Sequence, residues 1–269
     1  MDDLKQIARE VRKDIIQMIE LAGSGHPGGS LSCVEIIVAL YYKVMRYNPK
    51  NPKWPERDRF ILSKGHAVPT LYSVLSKTGY FSQEWLWKLR KTGSPLQGHP
   101  HLLSTPGIEA STGSLGQGLS IANGIALAGK LDNKDYRVYA LIGDGEINEG
   151  EIWEASMSAK RYKLDNLCAI LDHNGFQIDD SIREIKDPYP LKPKWQSFGW
   201  EVFEVDGHNF DELLDVFSWA KKTEGKPTMI IANTVKGKGV SFMENNIVWH
   251  GKAPTHEQAE QALKEIENK

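Results

Sequence analysis

The chain has 269 residues, and 40% of them are hydrophobic, which is enough to fill one sizeable core. A net charge of −2, with basic residues spread along the sequence, does not indicate a nucleic-acid-binding surface or an acidic tail. The apolar runs are far shorter than the roughly 20 residues of a membrane helix, and the N-terminus has no signal-peptide pattern, which together predict a cytoplasmic protein without a membrane anchor. The two cysteines lack CxxC spacing, so we expect no disulfide or zinc framework.

The first half of the sequence predicts helices, one strand and Gly-rich loops. Apolar residues at helical spacing predict a helix over 3–21, which stops at AGSGHPGGS, and a second helix over 32–45. DRFILS is typical of a short buried strand, VPTLYSVLSKTG of a helix that ends at Gly79, and residues 82–91 of a Trp-rich helix. The Gly-, Pro- and Ser-rich segment 93–118 is too long for a simple connection, and loops of this length are usually functional or disordered.

The second half alternates strands and helices. The strands are predicted over 137–143, 167–172, 201–205 and 228–235, and the helices over 150–162 and 210–222. Such alternation predicts a parallel sheet flanked by helices on both faces. Since no linker or internal repeat interrupts the pattern, we expect one α/β domain over residues 1–269.

The stretch IGDGEINEGEIWE, residues 142–154, places five acidic groups directly behind an apolar strand. Asp144 is expected at the carboxyl edge of the sheet, where ligands of open α/β folds bind. Asn174 follows the next strand, 30 residues on, so the two side chains can converge. With a backbone carbonyl from the Asn174 loop they would supply half of a magnesium shell, and phosphate and water would supply the rest. Gly143 and Gly145 would let the backbone approach that phosphate.

Calcium binding and simple helix capping are the alternatives for this stretch. A calcium-binding EF-hand loop needs Gly at its sixth position, but counting from Asp144 that position is Glu149, and no helix precedes the loop. In the capping alternative, acidic residues only favour the N-terminus of the next helix through its dipole, which is our expectation for Glu151 and Glu154. Capping suits Asp144 less well, because Gly on both sides of a residue is a poor way to start an ordinary helix.

Motifs along nearly the whole chain resemble those of the transketolase family. GDGEINEG, followed about thirty residues later by Asn, resembles the thiamine diphosphate fingerprint. SGHPGGS, LSKGHAVPTLY, GHP at 98–100, TGSLGQGLS and TVKGKGVSFMENNIVWHGK resemble further family motifs in the family's order, over roughly residues 5–255. The resemblance implies the diphosphate-binding domain of a thiamine diphosphate-binding fold, with thiamine diphosphate and Mg²⁺ as cofactors.

The resemblance also implies the residues of the site. The metal ligands would be Asp144, Asn174 and the carbonyl of Phe176. The cofactor would be bound by His66, Gly113, Ser114, Leu115, Gly145, Glu146, Asn174, Ile178, Lys236 and His250. The histidines acting on the sugar would be His26, His66, His99 and His250. Two positions depart from the pattern of many relatives, with Ser114 in place of Pro and Gly29 in place of a phosphate-contacting Ser, and Glu149 would join an acidic pair across a subunit interface.

The residue types give their own arguments for these histidines and for Lys236. The four histidines of the implied site lie in Gly-rich segments, as ligand-facing loops commonly do, and imidazole suits proton transfer near neutral pH. The other four are expected to be surface or satisfied core residues: His101, His173, His208 and His256. Lys236 would either offset the charge of the diphosphate or be a solvated lysine at a strand end.

The implied activity is the transfer of a two-carbon glycolaldehyde unit from a ketose phosphate to an aldose phosphate. A complete transketolase is considerably longer, and its pyrimidine-binding half, which supplies the glutamate that activates the cofactor, has no match in these residues. We therefore expect the N-terminal subunit of a split transketolase, active only with a separate C-terminal subunit in a dimer of heterodimers.

Other functions remain open at this point. The chain could belong to a related thiamine diphosphate enzyme, such as a deoxyxylulose phosphate synthase or a dihydroxyacetone synthase, although SGHPGG and VWHGK favour transketolase. It could also be a non-catalytic cofactor-binding protein. A dinucleotide-dependent dehydrogenase is poorly supported, because KGKG at 236–239 lacks the GxGxxG spacing and the acidic residue that should follow.

Overall fold

The computed structural model describes residues 1–268, and Lys269, the last residue of the predicted domain, lies outside the described residues. Within this range, five parallel strands form one sheet in the order β1–β2–β3–β7–β6, and β4 and β5 form a separate antiparallel hairpin. The strands are β1 Arg59–Leu62, β2 Val138–Gly143, β3 Leu167–His173, β4 Phe176–Gln177, β5 Asp180–Ser181, β6 Glu201–Asp206 and β7 Thr228–Asn233.

Helices cover both faces of the five-stranded sheet. The α-helices are α1 Asp2–Ala22, α2 Pro27–Ser32, α3 Val34–Ala39, α4 Val68–Lys77, α5 Gln117–Leu131, α6 Gly150–Arg161, α7 Ile182–Lys186, α8 Leu191–Ser197, α9 Phe210–Lys222 and α10 His256–Glu267. Buried side chains of α1, α3, α4, α9 and α10 form a core with one face of the sheet, and those of α5, α6 and α8 form a core with the other. The predicted fold class, a parallel sheet between helices, is confirmed.

The central strand β2 packs against helices on both faces of the sheet. All six residues of β2 are buried, and alternate residues enter opposite cores: Tyr139 and Leu141 face one helical layer, and Ala140 and Ile142 face the other. The register pairs Gly143 with Asp172, so β2 and β3 end side by side. This places the residues that follow the two strands at one edge of the sheet.

Several predicted elements have different bounds or forms. The predicted helix over 32–45 is the short α-helix α3, which is followed by a π-helical turn at Leu40–Val44. Pro27, which is well suited to the first turn of a helix, starts α2 inside the segment expected to be a loop. The Trp-rich segment forms a 3₁₀ helix, Gln83–Lys88, and β7 ends at Asn233 rather than at 235.

Helix α5 was not predicted, because its sequence, QGLSIANGIALAGKL, is interrupted by glycines that lower helix propensity. The structure gives the reason for two of them. A Cβ atom on Gly118 would lie 2.2 Å from Ser63 Oγ, and one on Gly129 would lie 2.7 Å from the Tyr136 ring. Close packing of α5 against the sheet therefore requires glycine at both positions. Within residues 1–268, no helix combines the length and apolar character that crossing a membrane requires.

Candidate active site

A cleft of about 900 Å³, including its open mouth, lies at the carboxyl ends of β1, β2, β3 and β7. Its wall is built from six separate stretches of chain, most of which directly follow a strand. The lining residues are, stretch by stretch, His26 and Gly29; Lys64 and His66; His99, Gly113 and Leu115; Gly143, Asp144, Gly145, Glu146 and Glu149; Asn174, Phe176, Gln177 and Ile178; and Lys236 and His250. Without the open mouth the cavity measures about 250 Å³, slightly below the roughly 300 Å³ at which typical small-molecule sites begin.

The cleft brings together nearly all of the residues that the sequence indicated. Those lining it are His26, His66, His99, Gly113, Leu115, Asp144, Gly145, Glu146, Asn174, Phe176, Ile178, Lys236 and His250. Ser114 is exposed and does not line the cleft. Its neighbours Gly113 and Leu115 both line the cleft.

The acidic corner holds Asp144 in a buried position, 2% exposed, at the end of β2. Its Oδ1 lies 2.7 Å from His173 Nδ1, and its Oδ2 accepts a hydrogen bond of 2.6 Å from the Gly175 N–H. In the adjoining loop, Asn174 Oδ1 accepts from the Phe176 N–H at 3.2 Å. Burial raises the pKa of Asp144 in spite of these hydrogen bonds, so the charged carboxylate lacks full compensation within the chain.

This donor set is compatible with a magnesium ion. The predicted ligands are one carboxylate, one side-chain amide oxygen and one backbone carbonyl, and hard oxygen donors of this kind suit Mg²⁺ rather than softer metals. Each oxygen of Asp144 makes one hydrogen bond and retains a further lone pair. Among residues 1–268, no group of three or more His, Cys, Asp or Glu side chains forms a metal site of the transition-metal type.

Glu146 lines the cleft, but its carboxylate is engaged by the protein itself. It accepts hydrogen bonds from the Gly143 and Gly116 N–H groups at 3.0 and 2.9 Å and from the Ser63 hydroxyl. These contacts join the end of β2 to the start of α5 and to the end of β1. The side chain that we expected to bind cofactor thus ties together three segments of the cleft wall.

Four histidines cluster in the cleft. The ring centroid of His26 lies 5.2 Å from that of His66, 5.6 Å from that of His250 and 6.5 Å from that of His99, and His66 and His250 are 5.5 Å apart. Burial and the neighbouring Arg90 lower the pKa of His26 to about 4, and burial and Lys236 lower that of His250 to about 4. Burial also lowers the pKa values of His66 and His99. All four rings are therefore neutral at pH 7.

An unpaired donor or acceptor remains inside this cluster. Nδ1 of His26 is buried and has no hydrogen-bond partner among the described residues. Buried polar atoms are normally paired, so this Nδ1 is an exception, and it belongs to a ring that lines the cleft.

Two lysines place positive charge at the cleft. Lys236 is 2% exposed, and its Nζ lies 3.0 Å from His250 Nδ1. Burial and the charge of Lys64 lower the pKa of Lys236 to about 8, which leaves it protonated at neutral pH. Lys64 donates to the Gly29 carbonyl at 2.9 Å and forms a fully buried ion pair with Asp172. The cleft thus offers an ammonium group beside neutral imidazoles, an arrangement that suits an anionic ligand.

Sequence reasoning missed three residues of this site. His173 was expected to be a surface or satisfied core histidine, and both of its ring nitrogens are paired, with Asp144 and with the Tyr189 hydroxyl, but its contact with a predicted metal ligand was not foreseen. Lys64 and Asp172 were not singled out, although each lies within two residues of a predicted site residue, His66 and Asn174. The sequence did hold a signal for the last two: Asp172 ends a predicted buried strand, and a buried carboxylate needs a cationic partner, which is Lys64.

The fold and the cleft define a parallel α/β domain that carries its ligand site beyond the carboxyl ends of its strands. Comparison with known proteins narrows this class. The family model described as "Transketolase, thiamine diphosphate binding domain" matches residues 4–267. The chain belongs to the transketolase family, in which it corresponds to the N-terminal, thiamine diphosphate binding domain.

Relatives of two lengths match the chain. It is 47% identical to the 6-deoxy-6-sulfo-D-fructose transketolase subunit SqwG of Clostridium sp. (strain MSTE9), over 98% of this chain and 96% of that protein. It is 43% identical to a subunit of the apulose-4-phosphate transketolase of Phocaeicola vulgatus, over 99% and 94%. It is also 44% identical to Homo sapiens transketolase, of which it covers 42%.

Solved structures agree with this assignment. The transketolase of Campylobacter jejuni superposes with a TM-score of 0.94 at 36% identity, over 99% of this chain and 43% of that one. The transketolase of Leishmania mexicana gives a TM-score of 0.93 at 31% identity, over 98% and 41%. The chain thus spans about two fifths of the length of these structures.

Proposed function

We propose that the chain is the cofactor-binding subunit of a split transketolase, which transfers a two-carbon glycolaldehyde unit from a ketose phosphate to an aldose phosphate. The observation that carries this proposal is the convergence of four neutral histidines, two buried lysines and an oxygen-rich corner in a single cleft. Relatives of matching length are named as transketolase subunits, which supports a separate partner chain. The expected assembly is a dimer of heterodimers, in which residues 1–269 form one domain.

In this proposal, Lys236 and the acidic corner would bind the diphosphate of thiamine diphosphate. Asp144, Asn174 and the Phe176 carbonyl would hold Mg²⁺, whose positive charge would offset the repulsion between the diphosphate and the buried carboxylate. Gly113, Leu115, Gly145 and Ile178 supply backbone and apolar contacts along the rest of the cleft. When bound, the cofactor supplies a nucleophilic carbon and an electron sink that stabilises the two-carbon carbanion.

The histidines act on the sugar. As neutral rings, they can donate N–H hydrogen bonds to a substrate carbonyl and accept a proton from a hydroxyl. Their pKa values are low in the free chain, mainly because of burial, and nearby phosphate charge would raise them towards the range in which imidazole exchanges protons at neutral pH.

The proposal is tested by assaying the chain alone and with the gene product that carries the pyrimidine-binding half. Glycolaldehyde transfer should require both chains. The donors tested should include 6-deoxy-6-sulfo-D-fructose and apulose 4-phosphate, because these sugars occur in the names of two relatives. Full activity of the isolated chain would refute the split. Cofactor binding without transfer to any acceptor would favour a non-catalytic role, and transfer of a different unit would favour a related thiamine diphosphate enzyme.

The metal assignment has its own test. Asp144→Ala should abolish magnesium-dependent binding of thiamine diphosphate in isothermal titration calorimetry, with Glu151→Ala as the acidic control from the same stretch. Unchanged binding by the Asp144 variant would remove Asp144 from the metal site.

A further inference from the structure

The segment that carries Lys236 lies beyond the end of β7, outside the sheet. Its backbone is fixed by contacts from other parts of the chain, and two of these come from side chains. The Val235 N–H donates to His208 Nε2 at 2.9 Å, and the Lys238 carbonyl accepts from Arg12 Nε at 3.0 Å. These two contacts lie one residue before Lys236 and two residues after it.

The two side chains that make these contacts are both held by Glu35. Arg12 forms a two-pronged ion pair with the Glu35 carboxylate, at 2.7 and 2.9 Å, and His208 Nδ1 lies 2.9 Å from Glu35 Oε2. Arg12 and Glu35 are each 7% exposed. Three separate elements, α1, α3 and the turn after β6, thus meet at one carboxylate behind the Lys236 segment.

Glu35 also determines which nitrogen of His208 carries the proton. Because Nε2 accepts from the Val235 N–H, it must be unprotonated, and Nδ1 must carry the hydrogen that is donated to Glu35. Burial opposes ionisation of Glu35, but Arg12 and His208 outweigh it and lower its pKa to about 2. A Glu35 that stays ionised at neutral pH therefore keeps His208 in the tautomer that can bind Val235.

We propose that Arg12, Glu35 and His208 are positioning residues that fix the backbone on both sides of Lys236 and thereby set its reach into the cleft. This inference rests on the proposed function in one respect, that the ligand of Lys236 is the diphosphate of the cofactor. None of the three side chains lines the cleft, so each acts through the segment. Loosening this clamp of three residues should weaken diphosphate binding while the sheet and both cores stay intact.

Two matched substitutions at His208 separate the hydrogen bond from the bulk of the ring. His208→Gln places an amide oxygen near the position of Nε2 and should retain the contact to Val235, whereas His208→Phe keeps a ring and removes the acceptor. Binding of inorganic pyrophosphate and of thiamine diphosphate, each with MgCl₂, is measured by calorimetry. We expect His208→Phe to weaken both about tenfold and His208→Gln to weaken them less than about threefold.

A double-mutant cycle with Lys236→Ala tests whether the effect passes through Lys236. In the Lys236→Ala background, His208→Phe should change the affinity less than about twofold. An equal effect of His208→Phe in both backgrounds would overturn the proposal, because a general structural defect adds to the loss of Lys236. Equal affinities of the Phe and Gln variants would also overturn it.

Hydrogen exchange keeps this test independent of the proposed ligand. The amide of Val235 should exchange at least about tenfold faster in His208→Phe than in the wild type, with amides of β2 unchanged. Absence of binding by the wild type would count against the proposed function alone, and the exchange result would still decide the clamp. Unchanged exchange at Val235 would overturn the clamp whatever the binding data show.

Discussion

Replacing Lys64 by Met should destabilise the chain strongly, because it leaves the Asp172 carboxylate buried without a cation. Lys64 is 2% exposed and Asp172 is fully buried, and the remaining partners of the carboxylate include the hydroxyls of Ser32 and Thr234. Removing one partner of a buried ion pair typically costs about 3–5 kcal/mol. Since the free energy of unfolding of a domain is about 5–15 kcal/mol, the variant should remain folded but lose a large part of that free energy.

The assay is urea unfolding followed by far-UV circular dichroism, with the free energy extrapolated to water. Lys130 provides the matched control, because it pairs with Asp165 at 2.6 Å on the surface, where the two side chains are 35% and 30% exposed. Lys130→Met should cost less than about 1 kcal/mol. Adding Asp172→Asn to Lys64→Met removes the uncompensated charge and should recover part of the loss.

Two results would refute this reasoning. The first is a Lys64→Met variant within about 1 kcal/mol of the wild type, which would mean that the remaining neutral donors, two hydroxyls and the Asn174 amide, suffice to stabilise the buried carboxylate. The second is a double variant no more stable than the single one, since the cost would then come from lost packing of the lysine stem rather than from charge.

Three further predictions concern the cleft and its support. The ammonium form of Lys236 is lost as the pH rises through its pKa of about 8, so the affinity for pyrophosphate with Mg²⁺ should fall between about pH 7 and 9. The fall should be clearly smaller in Lys236→Met. An equal pH dependence of the affinity in the wild type and the variant, measured by calorimetry, would contradict this. Because the pKa of Glu35 is lowered from 4.5 to about 2, its contribution to stability is present above pH 4.5 and is lost as the pH falls towards 2. The difference in unfolding free energy between the wild type and Glu35→Gln should therefore shrink on acidification. A difference that stays constant with pH would count against the ion pair. Gly113 has a φ of +135°, and a Cβ there would lie 2.7 Å from His99 Cδ2. Gly113→Ala should therefore lower the melting temperature and displace His99, whereas the control Gly150→Ala, whose Cβ meets open space, should not. Equal melting temperatures of the two variants would show that the loop around Gly113 adapts freely.

The sequence predicted the sheet well because its strands are apolar runs that end abruptly. Strand β2 is buried on both faces and appears as an uninterrupted apolar segment that stops at Asp144. Strand β3 begins with five apolar residues, and the polar residues Asp172, His173 and Asn174 mark its end. The same logic placed both residues at one edge of the sheet, which the register confirms. Motif resemblance then indicated most of the side chains that line the cleft.

What the sequence did not reveal depends on contacts between distant parts of the chain. Helix α5 has weak local propensity, and its glycines make sense only beside Ser63 and Tyr136. The role of His173 follows from its contact with Asp144, 29 positions away, and that of His208 from its contacts with Glu35 and Val235. Local patterns record the period of an element, but they do not record which side chains meet after folding.

The cleft wall draws on stretches from His26, near the start of the chain, to His250, near its end. During synthesis, a nascent chain therefore has no complete pocket until β7 and the loop after it have emerged and joined the sheet. Ligand capture can then occur only once that loop is in place, and a bound ligand would shift the equilibrium towards the folded form. A chain shortened before Lys236 should consequently gain no protection from thiamine diphosphate against proteolysis.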